Sequence, residues 1–384
     1  MNFNEIINKF ISENNGEMLY ILRELCAIPA PSGYERARAE YCVEILKRYG
    51  ADDVYIDSAC NVVCAINCNK SNDITVFSAH TDTVFPDTSP LPFYEDRDRI
   101  YCPGCADDTA GVAVLLMMCK FFLQYNIMPE HGIMFVFTSC EEGLGNLKGV
   151  RKFFDDMKGR ISRFISFDTT LDTVCDRCVG SSRYNVEINT VGGHSYGDFG
   201  NTNAIHAMSQ IVNKIYECEI PQKAGTKTTY NVGTVSGGTS VNAIAQNTQM
   251  LCEYRSDDRE CLEIMKRQFF DIFESARTNG IDIKVTNVGD RPCGNADTLK
   301  MEELKKCVVP IIESVISKKV NFRSYSTDCN IPLSLGVPSL CIGICDYKGM
   351  HTREEYLEKQ SLQTGLEAAL KIAASLTKTI FKDN

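Results

Sequence analysis

The chain has 384 residues, 44% of them hydrophobic and 23% charged, with a formal net charge of −10. That length suggests two domains around a real core. The acidic balance, without any basic run, excludes nucleic acid as the main partner. No apolar stretch is long enough to span a bilayer, and Met1-Asn2-Phe3-Asn4-Glu5 is not a signal-peptide n-region, so the expectation is a cytoplasmic protein with no membrane partner.

In chain order, a helical pattern covers residues 4–26 and stops before Pro29 and Pro31. A second helix is expected over 35–49, ending at Gly50. Strands follow near 54–56, 62–66 and 74–78. Asp107-Asp108-Thr109 then opens a long apolar helix over 111–124, with carboxylates placed to favour its N-terminus. Residues 132–137 form an apolar run without alternation, as in a strand buried on both faces of a parallel sheet. Residues 161–167 and 339–344 read the same way. Between about 181 and 289 the pattern changes to strand 183–190, helix 204–217, strand 228–234, strand 249–254, helix 261–278 and strand 282–288. This β-α-β-β-α-β order predicts a ferredoxin-like α+β domain inserted into a larger α/β domain. The fold class is therefore α/β, a mostly parallel sheet sandwiched by helices, with the α+β insert.

Nineteen cysteines are many for such a chain. They read as reduced, mostly buried thiols rather than a disulfide framework. Cys102/Cys105 and Cys175/Cys178 have Cys-x-x-Cys spacing, of which this many cysteines gives about one pair by chance. A redox role for the first pair, or a structural zinc held by both, is a minor reading.

The chemistry gathers at strand ends. His80 closes an apolar run, as do Asp107-Asp108 and Glu141-Glu142, Asp168 follows 161–167, and His351 comes shortly after 339–344. A buried strand that ends in such a group costs desolvation unless something charged receives it. Ligands of open parallel sheets bind beyond the carboxyl ends of the strands, so one edge can gather all of these residues around a shared metal centre. Nitrogen and carboxylate donors with few sulfurs fit zinc or a similar divalent ion. Singly, each signal is weak: Glu-Glu after a strand is ordinarily a solvated helix start, and Asp107-Asp108 is as readily a helix cap. His131 and His206 belong to no such pattern and read as structural or exposed.

The ordered set is more specific. His80-Thr81-Asp82-Thr83-Val84, Gly104-Cys105-Ala106-Asp107-Asp108-Thr109-Ala110-Gly111, Cys140-Glu141-Glu142-Gly143, Phe167-Asp168, Gly192-Gly193-His194-Ser195 and Gly349-Met350-His351-Thr352 resemble the di-zinc metallopeptidases that include peptidase T, aminoacylase and acetylornithine deacetylase. Asp168, rather than Glu, places the resemblance nearer the peptidase T-like branch. The resemblance implies two divalent metal ions, zinc first and cobalt or manganese as alternatives. Asp107 would bridge them, His80 and Asp168 would hold one, and Glu142 and His351 the other. Glu141 would be the general base, and Asp82 would orient His80. His194 would stabilise the oxyanion, and Asn242 and Arg255 would hold polar groups of the substrate. Arg255 has a competing reading as the partner of Asp257 or Asp258.

Two departures stand out. Thr109 replaces a lysine found in many relatives, and Asp168-Thr169-Thr170-Leu171-Asp172 lacks the usual glycines, which leaves Asp172 as a less favoured substitute ligand. The segment Ser324-Tyr325-Ser326-Thr327-Asp328 resembles a family loop without an assignable role. The resemblance divides the chain into a catalytic metal-binding domain, 1–180 with 291–384, and a lid and dimerisation domain, 181–290. It implies a homodimeric enzyme that releases the N-terminal residue from di- or tripeptides. The alternatives are an N-acyl-amino-acid deacylase and, in another class, a catalytically silent binding protein.

Overall fold

Ile74–His80 and Gly132–Thr138 are buried at every residue, as largely apolar runs without alternation require. They run parallel, with His80 opposite Thr138. Ile161–Phe167 joins the other side of Ile74–His80 in parallel, and Ser339–Ile342 extends the sheet beyond it, again in parallel. The computed structural model describes residues 3–69, 71–277, 281–294 and 298–378. It divides into two units, Met1–Cys178 with Asn295–Asn384, and the continuous insert Val179–Gly294.

The four parallel strands are the centre of an eight-stranded sheet. Its order is Val54–Ile56, Val62–Ile66, Gly132–Thr138, Ile74–His80, Ile161–Phe167, Ser339–Ile342, Thr173–Cys178, Asn321–Tyr325. Helices flank it. Ala110–Gln124 is buried around almost its whole circumference and packs against Phe3–Cys26 and Lys359–Thr377. The strand expected over 74–78 continues to His80, because the Ala79–Phe137 and His80–Thr138 pairs extend its ladder. The one expected over 339–344 stops at Ile342. Gly343 lies so close to the backbone of Thr170 that a Cβ would come within 2.0 Å of it. A second sheet went unread in the sequence: Tyr347–Lys348, Tyr356–Glu358, Arg99–Tyr101 and Tyr94–Glu95, antiparallel throughout.

The insert has its own core and an antiparallel sheet ordered Thr228–Gly237, Asn247–Ser256, Gly180–Asn189, Asp282–Arg291. Its helices, Ala204–Tyr216 and Arg259–Ser275, begin at side-chain caps. The Asn203 carboxamide oxygen accepts from Ile205 N, and Asp258 accepts from Cys261 N at 3.0 Å. A short antiparallel ladder, Gly193–His194 with Ala243–Ile244, stands apart from the main sheet.

All nineteen cysteines are free, and sixteen are buried. Cys102 and Cys105 are both buried in the core, whereas a reactive redox pair is partly exposed. Among the described residues no helix is long and apolar enough to cross a membrane.

Candidate metal centre

The carboxyl ends of the parallel strands deliver His80, Glu141, Glu142 and Asp168 to one place, whereas Asp107 does not close a buried strand but stands in the turn Cys105–Thr109, and His351 follows a strand of the small antiparallel sheet. His80 is the last residue of its strand. Glu141 and Glu142 follow Gly132–Thr138 by three and four residues, and Asp168 comes directly after Phe167. His351 follows Tyr347–Lys348 with a left-handed backbone, φ 61°. Among the described residues, two groups offer ligand atoms all within 4.8 Å of one another: His80, Glu141 and Asp168, and His80, Asp107 and Glu142. His351 completes the second group. Its Nε2 lies 3.0 Å from Asp107 Oδ2 and 3.1 Å from Glu142 Oε1. The other Asp107 oxygen, Oδ1, meets His80 Nε2 at 2.9 Å. Asp107 thus presents its two oxygens to two different imidazoles.

Burial alone would raise Asp107, but the His351 and His80 imidazoles outweigh it and hold the carboxyl well below the usual range. His351 is pushed up to about 10 by its contacts with Asp107 and Glu142. In Asp168, burial and then the charge of Asp107 outweigh the pull of His80 and push the carboxyl well up. Asp172, the substitute ligand, is elsewhere, paired with Lys318 at 3.2 Å.

Other carboxylates hold the backbone of these segments. Asp82 Oδ1 accepts the Glu141 N–H at 3.0 Å, and Oδ2 accepts the Glu142 N–H at 2.9 Å and the Ser32 hydroxyl at 2.6 Å. Its Oδ1 also lies 3.5 Å from His80 Nδ1, whose closer partner is the Asp82 carbonyl at 3.0 Å. Asp108 does not cap the helix that follows. Asp107 and Asp108 have non-helical backbones across a cis peptide, and Asp108 Oδ2 accepts the His80 N–H at 3.0 Å. The Asp108 carboxyl lies over Gly111, where a Cβ would come within 2.0 Å of Oδ1.

Three buried groups near the centre escaped sequence reading. Glu355, 1% exposed, accepts the N–H groups of Gly104 and Ala106, each at 2.8 Å. Burial and then the Asp107 charge push its carboxyl up to about 7. Arg38 donates to the carbonyls of Ile28 and Thr81 and to Thr109 Oγ1. Asp328, in the loop without a role, accepts the Thr138 hydroxyl at 2.5 Å. A single buried charge has no periodic signature, so nothing in the sequence marked the first two.

The donor set tests whether metal ions fit. Asp107, Glu141, Glu142 and Asp168 bring four carboxylates together, and His80 and His351 could offset only two of those charges even if both were protonated. Such a buried surplus needs cationic compensation. Nitrogen and oxygen donors without sulfur suit borderline or hard divalent ions.

The other expected residues lie on the insert. His194 is exposed, and its Nδ1 accepts the N–H groups of Tyr196 and Gly197 at 3.3 and 3.2 Å. With Nδ1 accepting, a neutral ring carries its proton on Nε2. The ladder sets Asn242 beside this loop, where its carbonyl accepts the Ser195 N–H at 3.0 Å. A cavity of about 400 Å³ is lined there by Gly193, Gly237, Gly238, Thr239 and Asn247. Arg255 pairs with neither Asp257 nor Asp258. It grips Glu253 in a forked contact, Nε to Oε1 at 2.7 Å and Nη2 to Oε2 at 3.0 Å, and Arg183 meets the same carboxylate at 3.1 Å. Asp258 is engaged in capping its helix and in pairing with Lys223. His131 lies 3.5 Å from Asp73, and His206 is exposed on its helix.

A mostly parallel sheet whose strand ends gather acids and imidazoles, joined to an antiparallel insert, defines a metallohydrolase of the peptidase and amidohydrolase type. The chain belongs to Peptidase family M20/M25/M40, whose family model matches residues 76–375. It is similar to a tripeptidase from Staphylococcus aureus, with a TM-score of 0.76 at 22% identity, covering 95% of this chain and 99% of that one. Aminopeptidase PepT from Bacillus cereus gives a TM-score of 0.71 at 19% identity, covering 94% and 99%. A putative succinyl-diaminopimelate desuccinylase of Mycobacterium tuberculosis is 23% identical over 348 residues, 88% of this chain and 93% of its own.

Proposed function

We propose that the protein hydrolyses the amide bond of short peptides and releases the N-terminal residue of di- or tripeptides. The observation that carries this reading is Asp107, which offers one oxygen to His80 and the other to His351. A carboxylate placed in this way can serve two cations at once. His80 and Asp168 would hold one ion, Glu142 and His351 the other, and zinc is the first candidate, with cobalt and manganese as alternatives. Two divalent ions bound there would supply Lewis acidity and a water acidic enough to attack near neutral pH.

The chain's own residues do the rest. Glu141 takes the proton of the attacking water and passes it to the leaving amine. Asp82 fixes the backbone of both glutamates. His194 donates Nε2–H to the developing oxyanion, a role its acceptor-bound Nδ1 favours. Asn242 and Arg255 hold polar groups of the substrate, Arg255 through the N–H groups that its forked contact with Glu253 leaves over. The insert is proposed as lid and dimerisation domain. In support, Thr228–Gly237 forms an edge of its sheet and is mostly exposed toward its end.

The solved tripeptidase and aminopeptidase T folds favour the peptidase reading. The desuccinylase relative favours a second, hydrolysis of an N-acyl amino acid by the same residues. Incubating metal-loaded protein with di- and tripeptides and N-acyl amino acids, with and without chelator, separates them. Chelator-sensitive release of N-terminal residues is the expected result. Release of acyl groups alone moves the enzyme to the deacylases, and no turnover with both metals bound leaves either a substrate outside the panel or a binding protein.

A further inference from the structure

Glu355 is a buried carboxylate that ties together the two segments facing each other across the proposed metal centre. Its Oε2 accepts Gly104 N–H at 2.8 Å, and its Oε1 accepts Ala106 N–H at 2.8 Å and Asp107 N–H at 3.2 Å. The Glu355 carbonyl accepts Cys102 N–H at 3.2 Å, so residues 102–107 wrap around this one residue. Four residues earlier stands His351, at the end of a turn closed by Thr352 N–H to the Gly349 carbonyl at 2.9 Å. Asp107 and His351 then meet at 3.0 Å.

A carboxylate that is 1% exposed carries a desolvation cost that ordinary packing would avoid. Among the described residues no lysine or arginine pairs with it, and its compensation is the row of backbone N–H groups. A glutamine offers one acceptor oxygen and turns an NH₂ against the remaining donors. The charge therefore serves the shape of this loop.

We propose that Glu355 is a positioning residue for the metal centre: it clamps the backbone that presents Asp107 and holds it in register with the segment that presents His351. The inference rests on the proposed metal centre. It predicts that removing the clamp loosens the ions without touching any ligand.

The test compares wild-type, Glu355→Gln and Glu355→Asp proteins. Near-UV circular dichroism establishes folding, competition with a chromophoric chelator gives Zn²⁺ affinity, and the visible spectrum of the Co²⁺-loaded protein reports ligand geometry. In Glu355→Gln the Zn²⁺ affinity is expected to fall about 10–100-fold, as for outer partners of metal ligands, and the Co²⁺ spectrum to change. On substrate, kcat should fall while KM stays within about twofold, because no substrate contact is removed. Glu355→Asp keeps the charge but cannot span all three donors, and an intermediate loss is expected. Wild-type affinity and spectrum in either variant, once folded, overturn the proposal. Wild-type protein that binds no divalent ion overturns the proposed metal centre itself, a different result.

Discussion

The Glu142 N–H donates to Asp82 Oδ2 at 2.9 Å, so a carboxylate from one strand end sets the backbone of the next. Because Asp82 also accepts Glu141 N–H and lies against His80, it aligns three members of the centre at once. Asp82→Ala is expected to weaken Zn²⁺ binding about 10–100-fold, read by chelator competition. An unchanged affinity would leave Asp82 a structural residue only.

Glu141→Gln separates ligation from proton transfer. The variant should keep both metals and lose about 10²–10⁴-fold in kcat, the span of a general base. Metal content by mass spectrometry and single-turnover rates check it. Glu141 lies within ligand distance of His80 and Asp168, so loss of one ion together with activity would make it a ligand rather than the base.

Asp168 and Asp172 make a matched pair. Asp168→Asn should lower metal stoichiometry or affinity at least about tenfold, the scale of a lost metal-site interaction. Asp172→Asn, at the partner of Lys318, should leave metal binding unchanged. The reverse pattern would exchange their assignments.

Gly111→Ala probes Asp108 from behind. The added Cβ would press on the Asp108 carboxyl, 2.0 Å away, and displace it from the His80 N–H. The expected destabilisation is about 1–3 kcal/mol, measured by denaturant titration. A fully stable variant would show that the loop yields without cost.

The insert offers a pH test. Burial alone would raise Glu253, but Arg255 and Arg183 outweigh it and hold the carboxyl below its ordinary value. A depressed folded value means stability that is present above the unfolded value, about 4.3 for glutamate, and is lost as pH falls through the lower folded one. Thermal unfolding of wild type should therefore weaken from about pH 5 downward, and Glu253→Gln should flatten that dependence. Parallel curves for the two proteins would remove Glu253 from the acid sensitivity.

Much of the fold was legible because the parallel strands are largely apolar, and two of them, Ile74–His80 and Ile161–Phe167, end at or just before a group too polar to bury alone. His80 and Asp168 announced themselves in this way. Asp108 was misread as a cap, because a carboxylate before a helix has the same sequence in either role, and only the non-helical backbone at 107–108 distinguishes them. Glu355 sits in the charged triplet Arg353-Glu354-Glu355, where nothing in the local sequence marks it as the buried member. Its burial follows from a fold-back of the 102–107 loop that no local pattern encodes. The small sheet went unread because strands of two or three residues are too short to show alternation. The partner of Arg255 proved to be two residues before it, on the same strand face, rather than the acids that follow.

Asp107 is met by His80 from 27 residues away, whereas Glu142 and His351 are 209 residues apart and Ala106 and Glu355 are 249 apart. An emerging chain thus carries His80, Asp107, Glu141, Glu142 and Asp168 long before the segment that completes their cage. Contacts so distant in sequence form slowly, after the local structure around them. On the proposed assignment, hydrolytic competence is a late event in the life of each molecule, arriving only once the insert has been made and the segment bearing His351 has folded back against Asp107.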